Sequence, residues 1–329
     1  MLQLRAQAVS SVEMKYRQLG RTNLRVSLLG LGSGGENRLG HAQNLRQQEV
    51  HLLVRHALDL GINLIDTAPA YTGAEEALGE ALQGVPRESY VLCTKFNARR
   101  GDPDAGGLRA SLEASLRRLR TEYVDVLYFH GLSPTTYSDT VDRFMDEMRQ
   151  AQADGLTRFL GMTELYEVDP SHEALLRALR EDLFDVLMLG HNLISPAGLV
   201  EVLPNAQQRN AGVVVMCAVR SIISRPDRLR AHIREWKDAG VLAEDAVPDD
   251  APLDWVLGPG FPTLTDAAYA FAAESPAVSS VLTGTTNREH LEANARSILG
   301  PPLPAAVSQR LRETFIPAKR SVLLHRISG

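Results

Sequence analysis

Apolar and polar positions along the chain follow two rhythms in turn. Short apolar runs such as INLID (62–66), SYVLCTK (89–95) and YVDVLYFH (123–130) are each followed by a longer stretch with apolar residues three and four apart. Within 47–61, Val50, Leu53, Val54, Ala57 and Leu58 form one helical stripe, which Gly61 closes. The same reading predicts strands at 27–35, 62–66, 89–95, 123–130, 157–163, 184–192, 212–219 and 278–285. Helices are expected at 47–61, 74–84, 107–121, 140–155, 171–182, 198–211, 263–275 and 287–299, with Pro204 a possible break in the sixth. Apolar strands alternating with helices indicate a parallel sheet covered on both faces. Eight such units predict an α/β fold, a (β/α)8 TIM barrel. A doubly wound open sheet is the competing architecture, and it usually has fewer strands. Ahead of the barrel, MKYRQLGRTNLRVS (14–27) reads as an N-terminal β-hairpin turning at Thr22-Asn23, placed to plug the barrel bottom. The expected organisation is an N-terminal tail (1–13) and one barrel domain (14–329), with a long connection at 218–262.

Composition narrows the function. Lysine and arginine number 35 against 40 aspartates and glutamates, a formal net charge of −5, which gives no reason to expect nucleic-acid binding. The two cysteines, Cys93 and Cys217, lie in apolar runs and read as buried thiols rather than a disulfide framework. No apolar run approaches the ~20 residues of a membrane span. MLQLRAQAVSSVEM lacks the apolar centre of a secretory signal. A soluble cytoplasmic protein is therefore expected, with no metal site.

In a barrel of this kind chemistry gathers at the C-terminal strand ends. Those ends carry Asp66, Lys95, His130, Thr163-Glu164, His191-Asn192, Cys217 to Arg220 and Gly284 to Thr286, with Tyr71 just beyond Asp66. Asp66, Tyr71, Lys95 and His130 make a workable acid catalyst. A phenol ordinarily titrates near 10, too high to give up a proton readily at neutral pH. A lysine ammonium beside it favours the phenolate. A buried lysine needs a counter-ion, which Asp66 on the neighbouring strand supplies. A histidine can hydrogen-bond a substrate carbonyl and orient it. Taken singly, each residue has an ordinary structural explanation, as a helix cap, a surface phenol or a solvated amine. It is the four types together at matched strand ends that point to chemistry on an oxygen whose carbon gains or loses a hydride.

YRQLGRTNLRVSLLGLGSG, GINLIDTAPAYTGAEEALGEAL, VLCTK, YVDVLYFH and GTTNREHLEANARSI resemble the aldo-keto reductase superfamily, and the likeness runs from Met14 to Leu299. It implies a (β/α)8 barrel that binds NAD(P)H in an extended form. By position, Asp66, Tyr71, Lys95 and His130 match the family's catalytic tetrad, with Tyr71 as the general acid/base. Gly284, Thr286, His290 and Asn294 match positions that contact the adenosine 2′-phosphate or ribose. Thr286-Asn287-Arg288-Glu289 has capping-box spacing, so Thr286 is expected to cap a helix whose N-terminus suits an anion. Arg288 is a candidate 2′-phosphate ligand, and Arg220 a candidate for the pyrophosphate. Gly32, in GLGSGG (30–35), joins the candidate cofactor contacts, although the run lacks a full dinucleotide fingerprint.

The resemblance has gaps. The family commonly holds the nicotinamide carboxamide with Ser-Asn after strand five and Gln in strand six, and stacks the ring on a Tyr at the end of strand seven. Here those positions read Thr163-Glu164, Met188 and Cys217, with His191 near enough in sequence to supply a polar edge. An ionised Glu164 accepts hydrogen bonds but donates none, so on this reading Glu164→Asn tightens cofactor binding. Phe96, His41, Trp255 and Tyr137 are candidates for a substrate pocket. The function implied is an NAD(P)(H)-dependent oxidoreductase interconverting a carbonyl (aldehyde, ketone or sugar lactol) and an alcohol, with NADPH preferred and NADH possible. Its partner is then a small-molecule carbonyl or sugar substrate. The alternatives are a non-catalytic nucleotide-sensing barrel of the same superfamily and a Schiff-base aldolase using Lys95. Asp66 counts against the aldolase, which needs a lysine without a fixed counter-ion.

Overall fold

The computed structural model describes residues 13–35, 39–40, 45–98 and 107–320, with the backbone alone for Lys319 and Arg320. Two short antiparallel strands come first, β1 (Tyr16–Gln18) and β2 (Arg25–Ser27). The turn between them is a single 3-10 turn over Gly20–Thr22 followed by Asn23, whose φ of 59° is a left-handed conformation that asparagine tolerates. Eight parallel strands follow: β3 (Leu29–Gly32), β4 (Leu64–Asp66), β5 (Val91–Phe96), β6 (Val124–Leu132), β7 (Thr157–Glu164), β8 (Val186–Gly190), β9 (Gly212–Met216) and β10 (Ser280–Thr283). They pair in sequence order, and β10 closes onto β3 as a barrel. The expected architecture is the observed one.

Alternation along each strand decides what faces inward. Leu64, Val91, Cys93, Val126, Tyr128, Val186, Met188 and Val214 form one buried cluster inside the barrel. Their neighbours Ile65, Leu92, Leu127, Phe129, Leu187, Val213 and Val215 belong to a second cluster, packed under the helices. The hairpin closes the lower end. Leu19 and Val26 are fully buried in the inner cluster, and the Arg21 N–H donates to the Asn210 carbonyl at 2.7 Å. Burying a leucine side chain in this way is worth about 1.5–3 kcal/mol. Gly20 lies so close to the start of β9 that a Cβ built on it would stand 2.1 Å from the Gly212 nitrogen, so the plug requires glycine there.

The outer layer contains α1 (Gln47–Asp59), α2 (Ala74–Ala81), α3 (Leu108–Leu119), α4 (Tyr137–Ala153), α5 (Glu173–Glu181), α6 (Val202–Gln208), α7 (Arg220–Ile223), α8 (Pro226–Asp238), α9 (Leu264–Ala272), α10 (Arg288–Leu299) and α11 (Ala305–Phe315). Pro204 does not break the sixth expected helix. The chain makes a separate 3-10 turn at Ala197–Leu199, and α6 begins at Val202, which leaves Pro204 in the first turn where its missing N–H goes unneeded. The long connection carries α7 and α8. It encloses a further apolar cluster in which Trp236 meets Phe315 of α11, ring centroids 6.5 Å apart. The periodic reading ended at Leu299 and did not anticipate α11.

Candidate active site

Inward alternation brings three chemical groups to the barrel mouth: Asp66 follows Leu64, Lys95 follows Cys93, and His130 follows Tyr128. The register of β6 shifts between Phe129 and Leu132, beside Gly131 with φ +67°, so His130 sits at an irregularity that re-aims the strand end. The Lys95 Nζ donates to both carboxylate oxygens of Asp66 and to the Thr67 carbonyl, each at 2.7 Å. Both residues are nearly inaccessible to solvent. Half-buried Tyr71 arrives from the loop after β4. Lys95 Nζ lies 4.9 Å from its ring centroid, and His130 meets it edge-on at 5.7 Å. The four residues singled out by strand position therefore converge.

The loop that carries Tyr71 is anchored from behind. Glu75, at the start of α2, accepts a 2.6 Å bond from the Thr94 hydroxyl and a 2.7 Å bond from Arg118 Nε of α3. Thr94 is the outward neighbour of Lys95, so one buried carboxylate ties the tyrosine's helix to the lysine's strand. The sequence reading did not single out Glu75.

Electrostatics differ from expectation at one point. Burial raises the Tyr71 phenol above its ordinary value. The Lys95 charge opposes that shift without cancelling it. The phenol thus holds its proton firmly at neutral pH, and Lys95 reduces the cost of releasing it. Burial, the largest single influence, lowers the Lys95 ammonium, but Asp66 and Tyr71 together outweigh it and hold the ammonium above the ordinary lysine range.

The candidate cofactor residues divide. Thr163 faces inward with Phe159 and Gly161, and its hydroxyl accepts the Gly131 N–H at 2.7 Å. The hydroxyl's own proton remains to be donated. Met188 also faces inward, in the inner cluster. Glu164 points the other way. Its Oε1 accepts the Gly190 N–H at 2.7 Å and its Oε2 meets His172 Nδ1 at 2.8 Å, all of it buried. The expectation that Glu164 serves the carboxamide is corrected on that ground, since its oxygens are committed behind the strand. Glu164→Asn should accordingly leave NADPH affinity no tighter and lower the melting temperature, because the Gly190 N–H and His172 lose a buried partner worth about 1–3 kcal/mol. Tighter NADPH binding with unchanged melting would contradict this placement.

His191 is also relocated. It stacks on Phe271 of α9 at 5.2 Å, and burial depresses its pKa to about 3, so it is a neutral core residue rather than a polar edge of the pocket. Asn294 is buried, and its amide donates to the Thr283 and Tyr269 hydroxyls at 2.9 and 3.3 Å. That leaves only its carbonyl oxygen for any ligand. Asn287, not Thr286, is the N-cap of α10, with its Oδ1 accepting the N–H groups of Glu289 and His290. Arg288, His290 and Gly284 are exposed around that helix start, and Gly32 is buried at the end of β3. Cys217 and Arg220 follow β9 with φ of 62° and 48°, left-handed values that non-glycine residues adopt at some cost. Arg220 pairs with Glu167 at 3.0 Å.

The substrate-pocket candidates fare less well. Phe96 packs outward against Phe144 with centroids 4.9 Å apart, and the Tyr137 hydroxyl binds Glu181 at 2.9 Å. Trp255 donates to the Pro252 carbonyl within the long connection, and His41 lies outside the described residues. None of the first three reaches the tetrad. Tyr166, which the sequence reading passed over, occupies the mouth instead. A Cβ on inward-facing Gly190 would stand 2.2 Å from its ring. A glycine at an inward strand position was the available signal. Beyond Tyr166 lies a largely apolar pocket, walled by Asn192, Val219, Arg220, Ile223 and Trp236 among others.

Comparison with known proteins gives the family. The chain is 26% identical over 311 residues to L-galactose dehydrogenase of Arabidopsis thaliana, covering 87% of this chain and 88% of that protein. It is 29% identical over 318 residues to a probable voltage-gated potassium channel subunit beta of Oryza sativa subsp. japonica, covering 88% and 93%. A solved putative aldo-keto reductase from Pseudomonas aeruginosa superposes with a TM-score of 0.65 at 28% identity, covering 88% and 95%. The profile described as the aldo/keto reductase family matches residues 29–315. The chain belongs to the aldo/keto reductase family.

Proposed function

We propose that this protein is an NADPH-dependent reductase of a small carbonyl compound, an aldehyde, ketone or sugar lactol, with Tyr71 as general acid. The observation that carries the reading is the buried Lys95–Asp66 pair set 4.9 Å from the Tyr71 ring centroid, beside His130. Asp66 keeps Lys95 charged and in place. Lys95 stabilises the phenolate that forms when Tyr71 passes its proton to the substrate oxygen. His130 holds that oxygen in line. In the reverse direction the phenolate takes the proton back. A bound nicotinamide supplies the hydride.

The residues present suit such a cofactor. Gly284 is exposed, and a Cβ there would stand in ordinary contact with the carbonyl oxygens of Gly34 and Gly32 at the end of β3, 3.7 and 3.8 Å away. Arg288 and His290 stand exposed at the start of α10, where a 2′-phosphate would gain charge-assisted bonds. Thr163 offers an inward hydroxyl donor. The name of one relative bears on substrate class, since L-galactose dehydrogenase acts on a sugar.

Titration with NADPH and NADH, followed by absorbance with a panel of aldehydes and sugars, tests the proposal. Saturable NADPH binding, tighter than NADH, with NADPH oxidation by at least one carbonyl is expected. The likeness to a channel subunit favours a second reading, a nucleotide-sensing barrel. Tight binding without turnover on any carbonyl would select it.

A further inference from the structure

The chain leaves β3 through Ser33, Gly34 and Gly35. Ser33 is fully buried, and its N–H donates to the Asp66 carbonyl at 2.9 Å, so this loop is fastened to the strand end that carries the tetrad carboxylate. The next residue meets the tyrosine. A Cβ built on Gly34 would stand 2.7 Å from Tyr71 Cζ, 2.8 Å from Cε2 and 3.1 Å from Cε1. Those three carbons are the hydroxyl end of the ring. Real Cβ atoms essentially never come within 3.0 Å of another heavy atom, so backbone and phenol touch here only because position 34 has no side chain. The backbone conformation of Gly34 does not itself ask for glycine. Its φ is not positive, whereas Gly35 has φ 76° and open space where a Cβ would stand. The demand at position 34 comes from Tyr71, to which all three nearest atoms belong.

We infer that Gly34 is a positioning residue for the proton transfer, its bare backbone forming the wall that sets where the Tyr71 hydroxyl stands. The inference rests on the role of Tyr71 as general acid given above. A methyl group at position 34 must push the ring away, because the backbone on both sides of the contact is held. Ser33 is tied to Asp66, the Tyr71 N–H donates to the Ala68 carbonyl at 3.0 Å, and the Tyr71 carbonyl accepts the Ala74 N–H at 2.8 Å. The side chain gives way instead, by several tenths of an ångström at the phenol carbon. Lys95 cannot follow, since its Nζ donates at 2.7 Å to both Asp66 oxygens and to the Thr67 carbonyl. The hydroxyl is thereby displaced against a fixed ammonium, and both the proton transfer and the support of the phenolate depend on that separation.

Gly34→Ala tests this in two cycles. In the first, turnover should fall at least about tenfold while NADPH affinity stays within about threefold of wild type. In the Tyr71→Phe background, which has no hydroxyl to misplace, the same substitution should slow the residual rate by less than about twofold. The second cycle needs no catalysis. Gly34→Ala should lower the melting temperature more in wild type than in the Tyr71→Ala background, by about 2 °C or more, because the second background has no ring to displace. A Gly34→Ala chain that folds only when Tyr71→Ala accompanies it gives the same result in extreme form, and one that folds in neither background would overturn the contact. Equal melting shifts in the two backgrounds would overturn it as well. Undiminished turnover in Gly34→Ala, or an undiminished loss in the Tyr71→Phe background, would overturn the positioning role and leave the reductase reading standing. A loss of NADPH affinity as large as the loss of turnover would also overturn it, placing Gly34 against the cofactor instead. Wild type that oxidises NADPH with no carbonyl would overturn the reading of Tyr71 itself, and the positioning role with it, whatever the melting cycle gives.

Discussion

Tyr71→Phe should turn over about a thousandfold more slowly than wild type, with NADPH affinity changed by no more than about twofold. The hydroxyl is the only group removed, and in the proposed mechanism it acts in the chemical step alone. The ring remains between Lys95 and His130, at 4.9 and 5.7 Å, so the architecture around the pair is retained. The loop is held by Glu75 through Thr94 and Arg118 rather than by the phenol oxygen. Stability should therefore be close to wild type. Single-turnover NADPH oxidation measures the step directly. A rate near that of wild type would remove Tyr71 from the reaction and leave His130 as the remaining acid at the mouth.

The strands and their ends were legible because period-two apolar runs alternating with helices admit few architectures, and a barrel puts its chemistry at one rim. What failed was face assignment within a strand end. Thr163 and Glu164 were both given to the nicotinamide pocket, yet adjacent strand residues face opposite ways, and the inward parity of Phe159 and Gly161 leaves the pocket only Thr163. The same parity sends His191 outward onto Phe271 and makes Gly190 the inward residue. The one sign of Tyr166 in the sequence is the glycine at the inward position 190, and which ring fills the space it leaves no local pattern encodes. The cap moved by one residue for a related reason. Thr286 and Asn287 both cap well, and only the extended backbone at Asn287, with φ −100° and ψ 124°, decides between them. The Tyr71 pKa was misjudged because the Lys95 charge was legible and the extent of burial was not.

Lys95→Met should abolish most turnover and also destabilise the fold, and the second effect distinguishes a buried ion pair from a merely catalytic lysine. With Lys95 gone, both oxygens of Asp66 lose their 2.7 Å donor at a site where the carboxylate is 3% exposed. Stranding one charge of a buried pair costs about 3–5 kcal/mol, a melting shift of roughly 10 °C. Asp66→Asn in the Lys95→Met background removes the stranded charge and should recover about 2 kcal/mol or more of that loss. Turnover should stay lost in the double variant, since no cation faces Tyr71. Whatever activity survives in Lys95→Met should carry a signature of its own. Removing the cation that opposes the burial of the phenol pushes the Tyr71 pKa further up, so the ascending limb of alcohol oxidation, which needs the phenolate, moves to higher pH. Thermal melts of the two variants and a pH–rate profile of the single one read these effects separately. A double variant no more stable than Lys95→Met would mean that Asp66 is not stranded by the lysine's loss. An unmoved ascending limb would mean that Lys95 holds Asp66 in place without tuning Tyr71.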